Sequence, residues 1–149
     1  MRSKLVLLST VLLVTVLLGA CGATPAPTSA PAGPPALEVK GKVTTQLQLT
    51  LDDVKALGLE KLTLEHPKNG PTEYEGVRLS KVLDKAGLAA DATTLVLTAS
   101  DGFSAEVAIA DAKGCADCLI AVKDATLTMA MPGMSSKSWV KDVVSIEVK

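Results

Sequence analysis

A C-x-x-C pair, one histidine and a cluster of methionines are the side chains here best suited to chemistry. Cys115 and Cys118 bracket Ala116-Asp117. Outside a reducing compartment two thiols this close tend to oxidise, so a small disulfide is expected. A redox-active pair of thioredoxin type would place its first cysteine at a helix start, where the dipole lowers its pKa. Here the pair runs instead into an apolar stretch that reads as a strand. Zinc wants four ligands, and two thiols with one histidine do not supply them. His66 sits in His66-Pro67-Lys68-Asn69-Gly70, a loop signal at a strand end. A lone histidine is ordinarily structural or solvated, yet such loops are common places for sites. Met129, Met131 and Met134 surround Pro132-Gly133. Thioethers suit Cu(I), which makes copper handling with His66 one reading. Met129 and Met131 also fall on one face of a strand, and core filling in a chain poor in aromatics is the other. Asp101 reads as a turn residue and Asp111 as a helix cap. There is no serine-nucleophile motif, glycine-rich phosphate loop or pair of histidines, and these residues alone make no catalytic constellation.

The third cysteine, Cys21, speaks of location. Met1-Arg2-Ser3-Lys4 is a basic start, Leu5 to Leu18 is apolar, and Leu17-Leu18-Gly19-Ala20 leads into Cys21. This is the layout of a secretory signal, and the small residues before Cys21 resemble the bacterial lipobox. The resemblance implies that Cys21 is lipidated and becomes the first residue of the mature protein, residues 1–21 being the signal segment together with that cysteine. The apolar run is about fourteen residues, short of the roughly twenty that span a bilayer. An uncleaved anchor and an ordinary secretory signal cut elsewhere are the alternatives. Residues 22–36 are Ala, Pro, Gly, Ser and Thr, with Pro25, Pro27, Pro31, Pro34 and Pro35 among them. Such a segment buries too little apolar surface to offset its ordering entropy. It is expected to be a disordered tether, reaching on the order of 45 Å if extended. The expected place is therefore the extracytoplasmic side of the cell membrane, held by lipid.

Residues 37–149 have the length of one ordinary domain. The whole chain has 15 basic and 16 acidic residues. Loss of Arg2 and Lys4 with the signal leaves a mild negative charge. That argues against nucleic acid, which calls for a basic face, and gives little pull toward anionic lipid. Tyr74, Phe103 and Trp139 are the only aromatics besides His66. Scattered in sequence, they make a stacking site for sugar or single strands an unfavoured reading.

Periodicity supplies the elements. Residues 37–40, 46–49, 61–66, 94–99, 103–109, 119–122, 127–131 and 143–148 read as strands. Thr50 with Asp52 and Asp53 starts a helix, which Val54 and Leu57 continue and Gly58 stops. Leu79, Val82, Leu83 and Ala86 mark a second helix ending at Gly87. Ser100-Asp101-Gly102 is a hairpin signal. Few short helices among many strands predict an α+β fold with mixed sheets.

The order of these segments resembles a family. Leu49-Thr50-Leu51-Asp52-Asp53-Val54-Lys55-Ala56-Leu57, the His66 to Gly70 loop, and Tyr74-Glu75-Gly76-Val77-Arg78-Leu79-Ser80-Lys81-Val82-Leu83 are similar to the oxidoreductase molybdopterin-binding domain of the sulfite oxidase type. Asp101-Gly102-Phe103 resembles its Asp-Gly-Tyr hairpin. Pro132-Gly133 with Trp139-Val140-Lys141 and Ile146-Glu147-Val148 resembles its last segment. The resemblance implies an α+β domain with a molybdopterin cofactor in a loop-lined pocket between the 66–70 loop and residues 135–141. His66 stands where the family has its molybdenum-ligating cysteine, Asn69 matches an asparagine, and Thr128 stands where the family has an arginine. Lys141 matches a lysine near the pterin, Lys68 adds charge, and Arg78 is a more distant cation. His66, Lys68, Asn69 and Lys141 are thus the candidate cofactor-binding residues. With the thiolate and the arginine replaced, the expected protein is a lipoprotein whose molybdopterin-binding-like domain is degenerate for molybdenum. The alternative is a non-catalytic module that binds a ligand or a protein, copper handling included. A small anion or an electron-transfer protein is the expected partner. Replacing His66 or Lys141 is expected to cost little stability.

Overall fold

The computed structural model describes residues 33–149, so the expected signal segment, Cys21 with its expected lipid and most of the expected tether lie outside the described residues. The chain runs β1 (Leu37–Gly41), β2 (Leu47–Leu49), α1 (Leu51–Ala56), β3 (Glu60–His66), β4 (Gly70–Arg78), α2 (Leu79–Ala86), β5 (Thr94–Ala99) and β6 (Ser104–Ala108). It continues through α3 (Ile109–Gly114), β7 (Leu119–Lys123), β8 (Thr126–Ala130), a 3-10 turn (Ser136–Ser138) and β9 (Val143–Val148). The fold is α+β, as the periodicity predicts.

Local chemistry accounts for the helices. The Thr50 hydroxyl accepts from Asp53 N–H at 3.1 Å and the Asp53 carboxylate accepts from Thr50 N–H at 2.9 Å, a reciprocal cap on α1. The Thr50 hydroxyl also lies 2.7 Å from Asp53 Oδ2, and its bond to the carboxylate, with that from Thr50 N–H, holds the Asp53 carboxyl below its ordinary pKa. Helix α2 buries Leu79, Val82, Leu83 and Ala86 on one stripe. Two elements differ from the sequence reading. Strand β4 was not expected, because Gly70-Pro71-Thr72-Glu73-Tyr74-Glu75 lacks apolar alternation; pairing with β3 makes it a strand. The stretch expected as a strand to Ile109 turns helical there. Asp111 lies inside the first turn of α3 and does not cap it; the cap position is Ala108, with no side-chain bond. Asp101 does serve the hairpin, accepting from Phe103 N–H at 2.9 Å.

Two sheets hold the domain. One has the order β2-β1-β9-β5-β6, the other β3-β4-β7-β8. Strand β9 lies parallel to β1 and antiparallel to β5, so the C-terminal strand sits at the centre of a mixed sheet. The second sheet is antiparallel throughout. Leu37, Val39, Leu95, Leu97 and Ile146 of the first sheet share one core with Val77, Ile120, Leu127 and Met129 of the second. The period of two then decides the other face of the second sheet. Val77 and Ile120 pair, as do Ile120 and Met129, on the core side. Leu62 opposite Tyr74, and Ala121 opposite Thr128, face away from it. That outward face carries a second small cluster of Leu64, Leu119, Ala130 and Trp139, with Leu62 and Tyr74 against it.

Candidate functional site

The site grows from the β3–β4 hairpin. His66 ends β3, Pro67-Lys68-Asn69 turn, and Gly70 takes a φ of +70°, which glycine tolerates best. Asn69 N–H donates to His66 O at 3.2 Å. The His66 Nδ1 accepts from Lys68 N–H at 3.1 Å and from Asn69 N–H at 3.2 Å. An accepting Nδ1 carries no hydrogen, so in the neutral ring the hydrogen lies on Nε2. The ring meets Trp139 edge-on at 4.6 Å between centroids, and Tyr74 lies 5.6 Å from Trp139. Two of the three Phe, Tyr and Trp side chains thus join the one histidine. The sequence reading of scattered aromatics is corrected: β4 and the segment before β9 are distant in the chain but adjacent in the fold.

This cluster forms one wall of a cleft of about 560 Å³ over the outward face of the second sheet. His66, Asn69, Thr72, Tyr74, Thr128 and Lys141 line it. Three of the four candidate cofactor-binding residues, His66, Asn69 and Lys141, are brought together. Lys68 sits exposed in the turn and does not line the cleft. Arg78 is also elsewhere. It pairs with Glu60 at 2.7 Å, reaches Asp117 at 3.3 Å and donates to Ala116 O. Lys81 and Arg78 together hold the Glu60 carboxyl below its ordinary pKa. Sequence reasoning missed Lys123, which also lines the cleft. Its place on the outward face follows from the alternation Leu119, Ala121, Lys123 in β7.

The cleft is rich in donors. Trp139 lines it and is only 7% exposed, and its indole N–H is buried with no acceptor. Leaving such a group unpaired costs about 1–3 kcal/mol. Burial raises the Tyr74 pKa above its ordinary value, so the phenol keeps its proton. Carboxylates of Glu73, Glu75 and Asp142 stand at the rim. Glu75 lies 4.0 Å from Lys61. Asp142 adopts a φ of +50°, placing it beside Lys141 at the entry to β9.

The other sequence candidates lie outside the cleft. Cys115 and Cys118 are joined as a disulfide. Cys115 follows the last turn of α3, so the pair sits at the negative end of a helix and lacks the dipole that lowers a thiol pKa. Met129 and Met131 are fully buried in the main core, and Met134 packs against it. Their thioethers fill volume, while His66 packs on Trp139, so the structure does not gather them into a copper site. Among the described residues no group of three or more His, Cys, Asp or Glu side chains is placed to hold a metal. No helix among them is long and apolar enough to cross a membrane.

The family profile described as the oxidoreductase molybdopterin binding domain matches residues 28–149. The chain belongs to this family. Among solved structures, the sulfane dehydrogenase SoxCD from Paracoccus pantotrophus is similar, with a TM-score of 0.58 and 18% identity. The match covers 75% of this chain and 37% of that one. At that identity the likeness is one of fold, and this chain spans little more than a third of SoxCD's matched chain. No curated protein sequence matches the chain. In this molybdopterin-binding family member the residue at the expected ligand position is an imidazole with one nitrogen held by its own turn. Both cysteines among the described residues are in the disulfide. The cations lining the cleft are the amines Lys123 and Lys141, with no guanidinium.

The two site variants should differ. His66→Ala removes two turn hydrogen bonds and the ring packed on Trp139, and should lower stability by about 1–2 kcal/mol. Lys141 is exposed, and Lys141→Ala should stay within about 0.5 kcal/mol of the parent. Thermal unfolding followed by circular dichroism distinguishes them. The expectation that both are neutral is thereby revised for His66, because the imidazole closes its own hairpin.

Proposed function

We propose that this protein is a lipid-anchored, extracytoplasmic member of the molybdopterin-binding family that keeps the fold and the cleft but not the molybdenum ligand, and works as a binding module. One observation carries the reading. The His66 Nδ1 accepts two turn amides, and the neutral ring therefore presents Nε2–H to its surroundings. A metal ligand needs a free lone pair, whereas this imidazole offers a donor. The donor set does not fit a thiolate-held molybdenum: among the described residues both thiols are spent on the disulfide, and Thr128 replaces the cation implied by the resemblance. A cleft lined by the Thr72, Tyr74 and Thr128 side chains and by Lys123 and Lys141 suits a ligand or partner group that accepts hydrogen bonds, with Glu73, Glu75 and Asp142 beside them to accept from any donor it carries.

A second reading, an oxidoreductase module that retains a pterin and serves an electron-transfer protein, is favoured by the unpaired Trp139 N–H, which asks for an acceptor. Metal and pterin analysis of protein purified from its own membrane decides between them. Far less than one molybdenum per chain is expected. Stoichiometric molybdenum with pterin would restore the enzyme.

A further inference from the structure

Strand β3 is the outer strand of the second sheet, and among the described residues nothing pairs with its far edge. The direction of its peptide groups is fixed by the turn. Because Asn69 N–H donates to His66 O, the carbonyl of His66 points toward β4. In a strand these groups alternate in direction. Those of Glu60, Leu62, Leu64 and His66 turn inward, and those of Lys61, Thr63 and Glu65 lie along the free edge. Three residues thus present unpaired donors and acceptors to any strand that can match them.

The sequence of this edge matches itself. Reading Leu59-Glu60-Lys61-Leu62-Thr63-Leu64-Glu65-His66-Pro67 against its own reverse about Thr63 sets Lys61 opposite Glu65, Leu62 opposite Leu64 and Leu59 opposite Pro67. Lys61, Thr63 and Glu65 are exposed, and Leu59 is one of three large apolar side chains left open among the described residues, at 40%. In this register the outward peptide groups of residues 61, 63 and 65 meet those of residues 65, 63 and 61. Backbone pairing, charge and apolar contact therefore select the same alignment. A shifted register loses the Lys61–Glu65 pairs: it sets Lys61 or Glu65 against Thr63 or against its own kind, or turns the outward groups away.

We propose that β3 is a self-recognition edge through which two copies of this chain pair antiparallel about Thr63, joining two four-stranded sheets into one of eight strands. The contact is isologous, so it closes after two copies. With a strand of 7 residues on each side it is a small interface of the transient class. Lysine and glutamate on the edge discourage pairing with unrelated strands while favouring this one. The inference does not depend on the cofactor reading.

Cysteine cross-linking in native membranes tests the register. Across a two-fold axis Thr63 faces its own copy at about 5.5 Å between Cα atoms, within the range a disulfide bridges. Full-length Thr63→Cys should therefore form a disulfide-linked dimer under mild oxidation with dioxygen and a copper catalyst. Lys61→Cys alone and Glu65→Cys alone should remain monomeric, since like positions lie about 13 Å apart. Co-expressed, these two variants should link to each other. Adding Glu65→Lys to Thr63→Cys should cut the yield about fivefold by setting like charges together at both ends. Adding Lys61→Glu as well should restore it. Zero-length amine-to-carboxylate coupling of the unsubstituted protein should join Lys61 to Glu65 of a second copy, a bond out of reach within one strand. Failure of both the Thr63→Cys link and that coupling overturns the proposal. So does equal linking at all three single sites, or linkage of Thr63→Cys to a different protein.

Discussion

Gly76→Ala should destabilise the domain by about 3 kcal/mol and lower its melting temperature by roughly 10 °C. Gly76 pairs with Ala121 where β4 meets β7. A Cβ built there would lie 2.5 Å from Ala121 Cα and 2.7 Å from the Ile120 carbonyl carbon, with the Ile120 oxygen nearer still. These are backbone atoms of a neighbouring strand, so no side-chain rotation relieves them. The ladder itself must open. Only Gly76, Val77 and Arg78 pair β4 with β7, and this junction ties the β3–β4 hairpin to the rest of the sheet. It also sets the height of the cleft, because Ala121 forms part of its lining. Gly114→Ala is the matched control. Nothing lies within 4 Å of its added Cβ, and it ends α3, where alanine is the better helix former. Thermal denaturation of the two variants should separate by about 10 °C or more. A Gly76→Ala protein melting with the parent would show that the two strands do not approach as closely as described.

The second large effect is all-or-none. Cys21→Ser should abolish the lipid-modified mature form. The affinity of an acyl chain for a bilayer rises by about 0.8 kcal/mol for each buried CH₂. No described helix is long and apolar enough to cross a membrane, and the charge is mild. Mass spectrometry should find lipid on Cys21 in the parent and only unmodified chain in the variant, with no mature protein left in the membrane fraction. An identical, lipid-free mature mass in both would remove the anchor from the functional reading.

The fold was legible where side-chain period and end signals agree. Thr50 with Asp53, the stripe Leu79-Val82-Leu83-Ala86 and the hairpin signal at Asp101-Gly102 each act within a few residues, and each falls where the structure has it. Strand β4 was not legible, because Pro71, Glu73 and Glu75 leave it no apolar face of its own; it is a strand because β3 and β7 flank it. The start of α3 was hidden for a similar reason. Ala108 offers no cap, and Ile109 suits a strand as well as a helix.

For the site, the chain alone named His66, Asn69 and Lys141 through their resemblance to a family motif, and the disulfide through its spacing. Only the tertiary structure could gather Tyr74, Thr128, Trp139 and Lys123 with them. A cleft is a property of which sheet face is left uncovered, and strand pairing between distant segments decides that. The same holds for the tautomer of His66, which depends on how the turn closes, and for the open edge of β3, which depends on the order of strands in the sheet. Local sequence settles what an element is, because its causes lie within a few residues. What the element faces depends on contacts across the whole chain, and those exist only once it has folded.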